Sequence, residues 1–205
     1  MPPALAHRRV LIAAVVSLLA FGVLIIVALT PSLHGLDREL KLTIDGSRHP
    51  VLEVTMRAVT FLGDGSMLLV FTVVTWLVLR HAGDRLARSL PVIMLGSAAT
   101  EWLVKWLVSR PRPRGGPFAF PSGHAFTSVV FFGLVIYLLW TRDVAWLWRV
   151  GGTVACVVLV VGIGLSRVYL RFHWLTDVLG GLTGGTAYLL IALAIADRPA
   201  RAASA

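Results

Sequence analysis

The sequence is almost without cysteine and has few charged residues. Its one cysteine, Cys156, lies in an apolar stretch, which excludes a disulfide framework and a cysteine-based zinc site. Charged residues make up only 14% of the 205 residues, against about 25% in a soluble domain, and 57% are hydrophobic. With a mean hydropathy of +0.83, this composition excludes a disordered chain, a collagen-like chain and an ordinary cytosolic enzyme. It predicts a polytopic membrane protein of one domain, residues 1–205.

Acidic residues are also scarce, because 10 Asp and Glu stand against 19 Lys and Arg, for a net charge of +9. A basic soluble protein would suggest a nucleic-acid partner, but too little polar surface remains here for a face that could read a groove. We therefore expect no nucleic acid as partner. The cations are expected to contact lipid headgroups of the bilayer or an anionic substrate.

Six apolar segments are candidates to cross a bilayer, which takes about 20 mostly apolar residues in a helix. The sequence therefore predicts an all-α bundle of six transmembrane helices, with spans at about 10–29, 66–80, 90–108, 124–140, 146–165 and 177–196. The first follows two arginines, as in a signal peptide, but its apolar run exceeds the usual ~7–15 residues, so we interpret it as a retained span. Residues 61–66 would extend the second span, and Pro91 fits the first turn of the third helix. Residues 197–205 are predicted to form a loose tail.

The segment between the first two spans, residues 31–61, is of a different kind. Charged and apolar residues alternate along it, which predicts short amphipathic helices at the membrane interface, separated at Gly46 and Pro50. Two interpretations stay open for this segment: a mere connector, and a lid or gate for lipid.

Polar residues cluster beside spans three to six, all at the same end of the predicted bundle. Up-and-down helices return the chain repeatedly to that membrane face, so residues far apart in sequence meet there. The cluster consists of Lys105, Arg112, Ser122, Gly123, His124, Arg167, His173 and Asp177. Ionisable groups beside a membrane are costly and usually functional, although any one of them alone could be a headgroup anchor.

Two parts of this cluster indicate nucleophilic chemistry on an anion. His173 and Asp177 are spaced i, i+4, so on a helix they would share a face, where a carboxylate can fix the imidazole tautomer and stabilise its cation. Ser122 is placed to cap a helix whose free first-turn N–H groups can bind an anion, and Gly123 would let a ligand approach the backbone closely. His124 is placed to donate a proton.

Three cations, Lys105, Arg112 and Arg167, surround the same point, and arginine forks match phosphate oxygens in pairs. The two histidines and the aspartate could instead hold a metal ion, but three neighbouring permanent cations favour an anion over a divalent metal. We therefore expect neither a metal nor another cofactor. A simpler role for Lys105 also stays open, because Glu101 could pair with it at i, i+4.

Three strings carry a family resemblance: Lys105-x6-Arg112-Pro113, then Pro121-Ser122-Gly123-His124, then Ser166-Arg167-x5-His173-x3-Asp177. In order and internal spacing they resemble the signature of the type 2 phosphatidic acid phosphatase (PAP2) superfamily, and every signature position is filled. Thr60-Phe61-Leu62-Gly63-Asp64 also resembles a segment common in bacterial members. The region that contains the matching strings, Lys105 to Asp177, spans about a third of the chain, and the six-span layout extends the likeness to most of it.

The resemblance implies a membrane enzyme that hydrolyses phosphomonoesters or diphosphates without a metal, through a phosphohistidine. By the same resemblance His173 would be the nucleophile, Asp177 its orienting partner, and His124 the general acid that protonates the leaving oxygen. The residues expected to hold the phosphate oxygens are Lys105, Arg112, Ser122, Gly123 and Arg167.

The expected substrate is a membrane lipid phosphate or diphosphate that enters sideways from the outer leaflet of a bacterial plasma membrane. Polyprenyl diphosphate, such as undecaprenyl diphosphate, ranks first, followed by phosphatidylglycerophosphate and phosphatidate. Two alternatives remain: a lipid phosphotransferase, and a non-catalytic protein that binds or moves anionic lipids.

The numbers of cations on the two sides of the predicted membrane are nearly equal, so they do not decide the orientation of the chain. With the N-terminus inside, nine Lys and Arg lie on the inner side and ten on the outer side, so the positive-inside rule alone gives no majority. If the three proposed phosphate ligands are held outside by function, seven outer cations remain against nine inner ones. This weak bias predicts an active site on the outer side.

Span six carries two pairs of glycines at a spacing of four, Gly180 with Gly184 and Gly181 with Gly185. Such small-residue faces allow close contact between helices. Packing inside one bundle is the preferred interpretation, and a homodimer formed through these faces is the alternative.

Overall fold

Helices make up most of residues 3–196, the part of the chain that the computed structural model describes, with side chains described from residue 8 onward. The helices are α1 (Pro3–Leu29), a 3-10 turn (Pro31–Leu33), α2 (Gly35–Gly46), α3 (Pro50–Phe61), α4 (Gly65–His81), α5 (Leu86–Val108), α6 (Gly123–Thr141), α7 (Trp146–Tyr169) and α8 (Leu175–Ala196). No strand occurs within these residues, so the predicted all-α class is confirmed there. The predicted tail at 197–205 lies outside the described residues.

Four helices are long and apolar enough to cross a membrane by themselves: α1 from Arg8 onward, α6, α7 and α8. The pair α3 and α4, bent by 43° at its break, is a fifth candidate. At 17 residues α4 is short for a span. Helix α5 is not among the four, because polar residues such as Glu101 and Lys105 lower its mean hydropathy. The chain is therefore a multi-pass helical membrane protein with four to five candidate spans.

Two predicted helix starts are wrong, and a capping aspartate explains each. Residues 61–64 do not extend helix α4, because Asp64 caps it by accepting the N–H of Ser66 at 3.2 Å. Pro91 does not lie in the first turn of its helix. The Asp84 carboxylate accepts the N–H of Leu86 at 2.9 Å, so α5 begins five residues before Pro91.

Helix α8 packs closely against α6 and α1, and its glycines make this approach possible. A Cβ at Gly181 would lie 2.6 Å from the Ser122 carbonyl oxygen, and one at Gly185 would lie 2.6 Å from the Phe126 carbonyl oxygen. On another face, a Cβ at Gly184 would meet the Phe21 ring of α1 at 2.8 Å. The preferred interpretation, packing inside one bundle, is thus confirmed, while the homodimer stays a prediction.

The segment between α1 and α4 forms two helices that break between Gly46 and Pro50, as predicted. Helix α2 directs Leu40 and Ile44 into a small apolar cluster formed by the adjoining ends of α6, α7 and α8. Helix α2 therefore covers the end of the bundle at which the predicted site residues meet.

Candidate active site

His173 is positioned by the way in which α7 ends. The N–H of Phe172 donates to the Arg167 carbonyl at 3.0 Å, and the N–H of Arg171 donates to the Val168 carbonyl at 2.9 Å. These two bonds form a Schellman motif, with Arg171 in the left-handed region at φ 59°. The motif turns the chain sharply, so that the N–H of His173 also lies 3.2 Å from the Arg167 carbonyl.

The expectation that His173 and Asp177 share a helical face is wrong, because α8 begins at Leu175 and His173 precedes it. The His173 ring nevertheless lies close to the carboxylate, with 3.8 Å between Nδ1 and Oδ2 of Asp177. Nδ1 is 2.7 Å from the carbonyl oxygen of Ala119. A carbonyl only accepts, so Nδ1 donates.

The imidazole of His173 is only 3% exposed. Burial lowers the pKa of His173 below its ordinary value, and the neighbouring Asp177 carboxylate opposes this shift. A ring that is neutral and protonated on Nδ1 carries its free electron pair on Nε2. The local structure thus leaves Nε2 as the ring nitrogen with a free electron pair.

Asp177 is the third residue of α8, and its carboxylate reaches back to the start of the helix. Oδ2 accepts the N–H of Trp174 at 2.8 Å, which caps the first turn. Oδ1 accepts from Arg110 Nη1 at 2.6 Å. The Asp177 carbonyl accepts the N–H of Ser122 at 2.9 Å, which joins the starts of α8 and α6.

The start of α6 forms a corner that presents hydrogen-bond donors suited to an anion. Ser122 occupies the N-cap position as predicted, but its side chain makes no capping hydrogen bond. Its Oγ is buried and has no hydrogen-bond partner among the described residues. The next residues, Gly123 onward, supply first-turn N–H groups that lack acceptors within the helix. A hydroxyl donor and a helix N-terminus therefore face the same point.

The cation Lys105 faces this corner from α5. A Cβ on Gly123 would lie 2.9 Å from Lys105 Nζ and 2.5 Å from Oε1 of Glu101. Lys105 and Glu101 form a buried ion pair, so the i, i+4 pairing considered above is present. The charges of Arg112 and Arg167 also act on Lys105.

Arg167, in the last turn of α7, is held by two groups. Its Nη1 donates to Thr60 Oγ1 at 2.9 Å, and its guanidinium lies over the Phe172 ring, 4.3 Å from the centroid. The charge of Arg112 acts on Arg167, and Arg112 itself sits in a turn in which its N–H donates to the Gly116 carbonyl at 2.9 Å. The three predicted cations therefore converge.

The second histidine, His124, lies in the first turn of α6 and is partly exposed. Its Nε2 is 3.9 Å from Oδ2 of Asp64, and the charges of Arg167, His173 and Lys105 also act on it. All eight predicted site residues are thus brought to one end of the bundle. Among the described residues, no group of three or more His, Cys, Asp or Glu could hold a metal ion.

Sequence reasoning missed Arg110 and Asp37, which are both buried beside the site. Arg110 falls between two motif positions, and its partners lie 67 and 73 residues away in sequence. For Asp37, however, the sequence pattern of α2 contains a signal. It shares a helical face with Leu40 and Ile44, so a carboxylate interrupts the apolar face of α2.

Comparison with known proteins agrees with this geometry. The family model described as "PAP2 superfamily" matches residues 114–201. Phosphatidylglycerophosphatase B of Bacillus subtilis (strain 168) is 30% identical over 193 residues, which cover 83% of this chain and 88% of that protein. "Putative undecaprenyl-diphosphatase YbjG" of Escherichia coli (strain K12) is 33% identical over 113 residues, 48% of this chain and 52% of that protein.

The fold is also that of a solved structure, described as the first transmembrane PAP2 type phosphatidylglycerolphosphate phosphatase from Bacillus subtilis. The TM-score is 0.83 at 24% sequence identity, and the match covers 92% of this chain and 98% of that one. The match to phosphatidylglycerophosphatase B over most of both chains decides the family. This chain belongs to the PAP2 superfamily and is a membrane phosphatase, a hydrolase that acts on phosphate esters.

Proposed function

We propose that this protein hydrolyses a lipid phosphate or diphosphate through a phosphohistidine on His173, without a metal. The observation that carries the proposal is the hydrogen bond from His173 Nδ1 to the Ala119 carbonyl. It leaves the electron pair of Nε2 free for attack on phosphorus, beside three converging cations and the start of α6.

In the first step, Nε2 of His173 attacks phosphorus and the bond from phosphorus to the lipid oxygen breaks, while His124 gives its proton to that oxygen. Asp177, 3.8 Å away, stabilises the positive charge that forms on the ring. In the second step, water attacks phosphorus and His124 accepts a proton of that water. The bond from phosphorus to Nε2 breaks, its electron pair returns to Nε2, and inorganic phosphate leaves. The groups proposed to hold the phosphate oxygens are Lys105, Arg112, Ser122, Gly123 and Arg167.

We propose six spans, with α4 and α5 added to the four helices that qualify alone. Helix α5 has 23 residues and would extend about 34 Å, which is enough to cross the hydrocarbon core. Its charged pair, Glu101 and Lys105, is buried against the start of α6 and does not face lipid. Helices α2 and α3 would lie at the interface, on the outer side of a bacterial plasma membrane.

An apolar groove supports a lipid substrate. It has a volume of about 500 Å³ and runs between α4 and α5, lined by side chains such as Leu68, Trp76 and Met94. It begins at Gly65, next to Asp64, and at Thr127, one turn after Gly123. A chain lying in this groove would therefore place its headgroup beside His124.

Polyprenyl diphosphate is our first choice of substrate, since a relative is named as an undecaprenyl-diphosphatase. A second candidate is phosphatidylglycerophosphate, because the relative that matches 83% of this chain is named phosphatidylglycerophosphatase B. Phosphatidate is the third. A phosphotransferase would use the same phosphohistidine but would pass the phosphoryl group to an alcohol in place of water.

A phosphate-release assay of the purified protein tests the proposal. The three lipids are presented in detergent with a chelator, and an acceptor alcohol is added in a parallel series. We expect release of inorganic phosphate, and a loss of at least about a thousand-fold in His173→Ala because the nucleophile is gone. Full activity in His173→Ala, or complete loss on chelation, would overturn the mechanism. Phosphate found mainly on the alcohol would make the protein a transferase.

A further inference from the structure

A buried ionic network joins α2 to the first turn of α8. Arg110 Nη2 donates to Oδ2 of Asp37 at 2.8 Å, and its Nη1 donates to Oδ1 of Asp177 at 2.6 Å. The side chains of both aspartates are fully buried, and that of Arg110 is 1% exposed. One guanidinium thus bridges two carboxylates that are 140 residues apart in sequence.

Thr176 closes this network. Its Oγ1 donates to Oδ2 of Asp37 at 2.5 Å, and its N–H donates to Oδ1 of the same carboxylate at 3.1 Å. Arg110 Nη1 also donates to Thr176 Oγ1 at 2.7 Å. Asp37 therefore binds the first turn of α8 directly and also through Arg110.

Both oxygens of Asp177 are occupied by fixed donors, Arg110 on one and the Trp174 N–H on the other. This carboxylate is the anion nearest to the His173 ring in the described residues, and its own carbonyl holds the N–H of Ser122. A displacement of Asp177 would therefore move both the negative charge beside the His173 ring and the start of α6. Such groups must be held to within about 0.5 Å for efficient catalysis.

We propose that Asp37 and Arg110 are positioning residues, which hold Asp177, and through it His173, in place for phosphoryl transfer. The inference rests on the proposed role of His173 as nucleophile. It also gives α2 a function beyond that of a connector. The network carries one positive and two negative charges, so it retains a net negative charge next to the ring that becomes cationic during transfer.

Helix α2 offers a matched control, because a second aspartate ties it to the same loop without reaching Asp177. Asp45 accepts from Arg171 Nη1 at 2.8 Å and pairs with Lys41 at 3.0 Å, in a partly exposed position. Asp37→Asn and Asp45→Asn therefore remove the same charge from the same helix. Only the first should affect catalysis.

Steady-state kinetics provide the first test. We expect Asp37→Asn to lower kcat about ten-fold, with KM within about two-fold of wild type, because a positioning defect raises the barrier without removing a phosphate ligand. Asp45→Asn should keep the wild-type kcat. In an Arg110→Gln background, Asp37→Asn should cause a smaller loss than in wild type, because part of its effect passes through Arg110 and only its direct bonds to Thr176 remain. Equal effects of the two aspartate variants, or losses that multiply, would overturn the inference.

Hydrogen–deuterium exchange provides a test that does not depend on activity. The N–H of Trp174 is bonded to Asp177 and not to Asp37, so its exchange reports a displacement of Asp177. Within a peptide covering residues 172–178, the N–H of Trp174, resolved from that of Thr176 by fragmentation of the peptide, should exchange faster in Asp37→Asn and at the wild-type rate in Asp45→Asn. Unchanged exchange in Asp37→Asn would overturn the inference whatever the activity. An active His173→Ala would overturn the proposed mechanism and with it the catalytic role of the network, whereas faster exchange in Asp37→Asn would still show that the network holds Asp177.

Discussion

At the residue scale, Gly123 separates a helix start from a buried ion pair. A methyl group there would come within 3.0 Å of Glu101 and of Lys105 Nζ, which are the mobile ends of long side chains. We therefore expect Gly123→Ala to fold but to displace the ammonium from the phosphate. A hydrogen bond to a charged group contributes about 1.5–3 kcal/mol, so KM should rise about ten-fold or more.

The control for this prediction is Gly35→Ala, because Gly35 is also the first residue of a helix and nothing lies within 4 Å of its added Cβ. Phosphate-release kinetics and thermal unfolding of both variants provide the measurement. A wild-type KM in Gly123→Ala would contradict the prediction that Lys105 binds phosphate from its present position.

The protonation of His173 is a second prediction at this scale. Burial lowers its pKa, so the ring should stay neutral as the pH falls below the ordinary value of about 6.5. The bond to the Ala119 carbonyl predicts that the proton of the neutral ring is on Nδ1. NMR of protein labelled with 15N-histidine, assigned by loss of the signal in His173→Ala, measures both. Protonation of the ring above pH 6.5, or a neutral ring with its proton on Nε2, would contradict this prediction.

The motif residues could be found from sequence because chemistry fixes their types and spacings. The proposed phosphohistidine mechanism needs a nucleophile, a proton donor and phosphate ligands, and local strings carry the residues proposed for each role. Arg110 and Asp37 could not be found in this way. Their contacts depend on how α2 lies across the bundle. No local spacing marks Arg110, and the sequence shows Asp37 only as a carboxylate on an apolar helical face, without its partner.

At the scale of elements, the groove between α4 and α5 should decide how the lipid tail binds. Ala98 lines it and the adjacent Ala99 is exposed on the same helix, so the two alanines form a matched pair. We expect Ala98→Phe to raise KM several-fold for a long-chain substrate by filling the groove. KM for a soluble aryl phosphate should not change, because that substrate needs no tail site.

The same assay on Ala99→Phe serves as the control, and we expect wild-type values for both substrates. If Ala98→Phe leaves KM for the long-chain substrate unchanged, the lipid tail does not lie in this groove. If KM rises equally for the aryl phosphate, the substitution has disturbed the site itself.

Helix existence was predictable from hydropathy, whereas helix ends were not. The core of α6 and most of α7 and α8 agree with the predicted spans, because long apolar runs leave few alternatives. The errors fall where one side chain decides the boundary: Asp64 and Asp84 cap α4 and α5. The Schellman turn at Arg171 similarly separates His173 from α8.

At the scale of the whole molecule, the two ends of the bundle are chemically different. The site end contains the buried Asp37–Arg110–Asp177 network and the Lys105–Glu101 pair. At the opposite end, Arg142 pairs with Asp84 across the α4–α5 and α6–α7 connections. Cations at the site end, such as Arg110 and Lys105, are thus held by tertiary contacts, which is why counting them did not decide the orientation.

The side of the membrane on which the site end lies is therefore best predicted from the proposed function and measured directly. In a Cys156→Ser background, we expect Arg114→Cys to react with a membrane-impermeant maleimide added to intact cells, because Arg114 is exposed at the site end, over the Phe172 ring. Arg88→Cys, exposed near the start of α5 at the opposite end, is the control and should react only after permeabilisation. A gel shift of the labelled protein provides the measurement. Labelling of Arg114→Cys from the cytoplasmic side alone would reverse the proposed orientation and would leave the site chemistry unchanged.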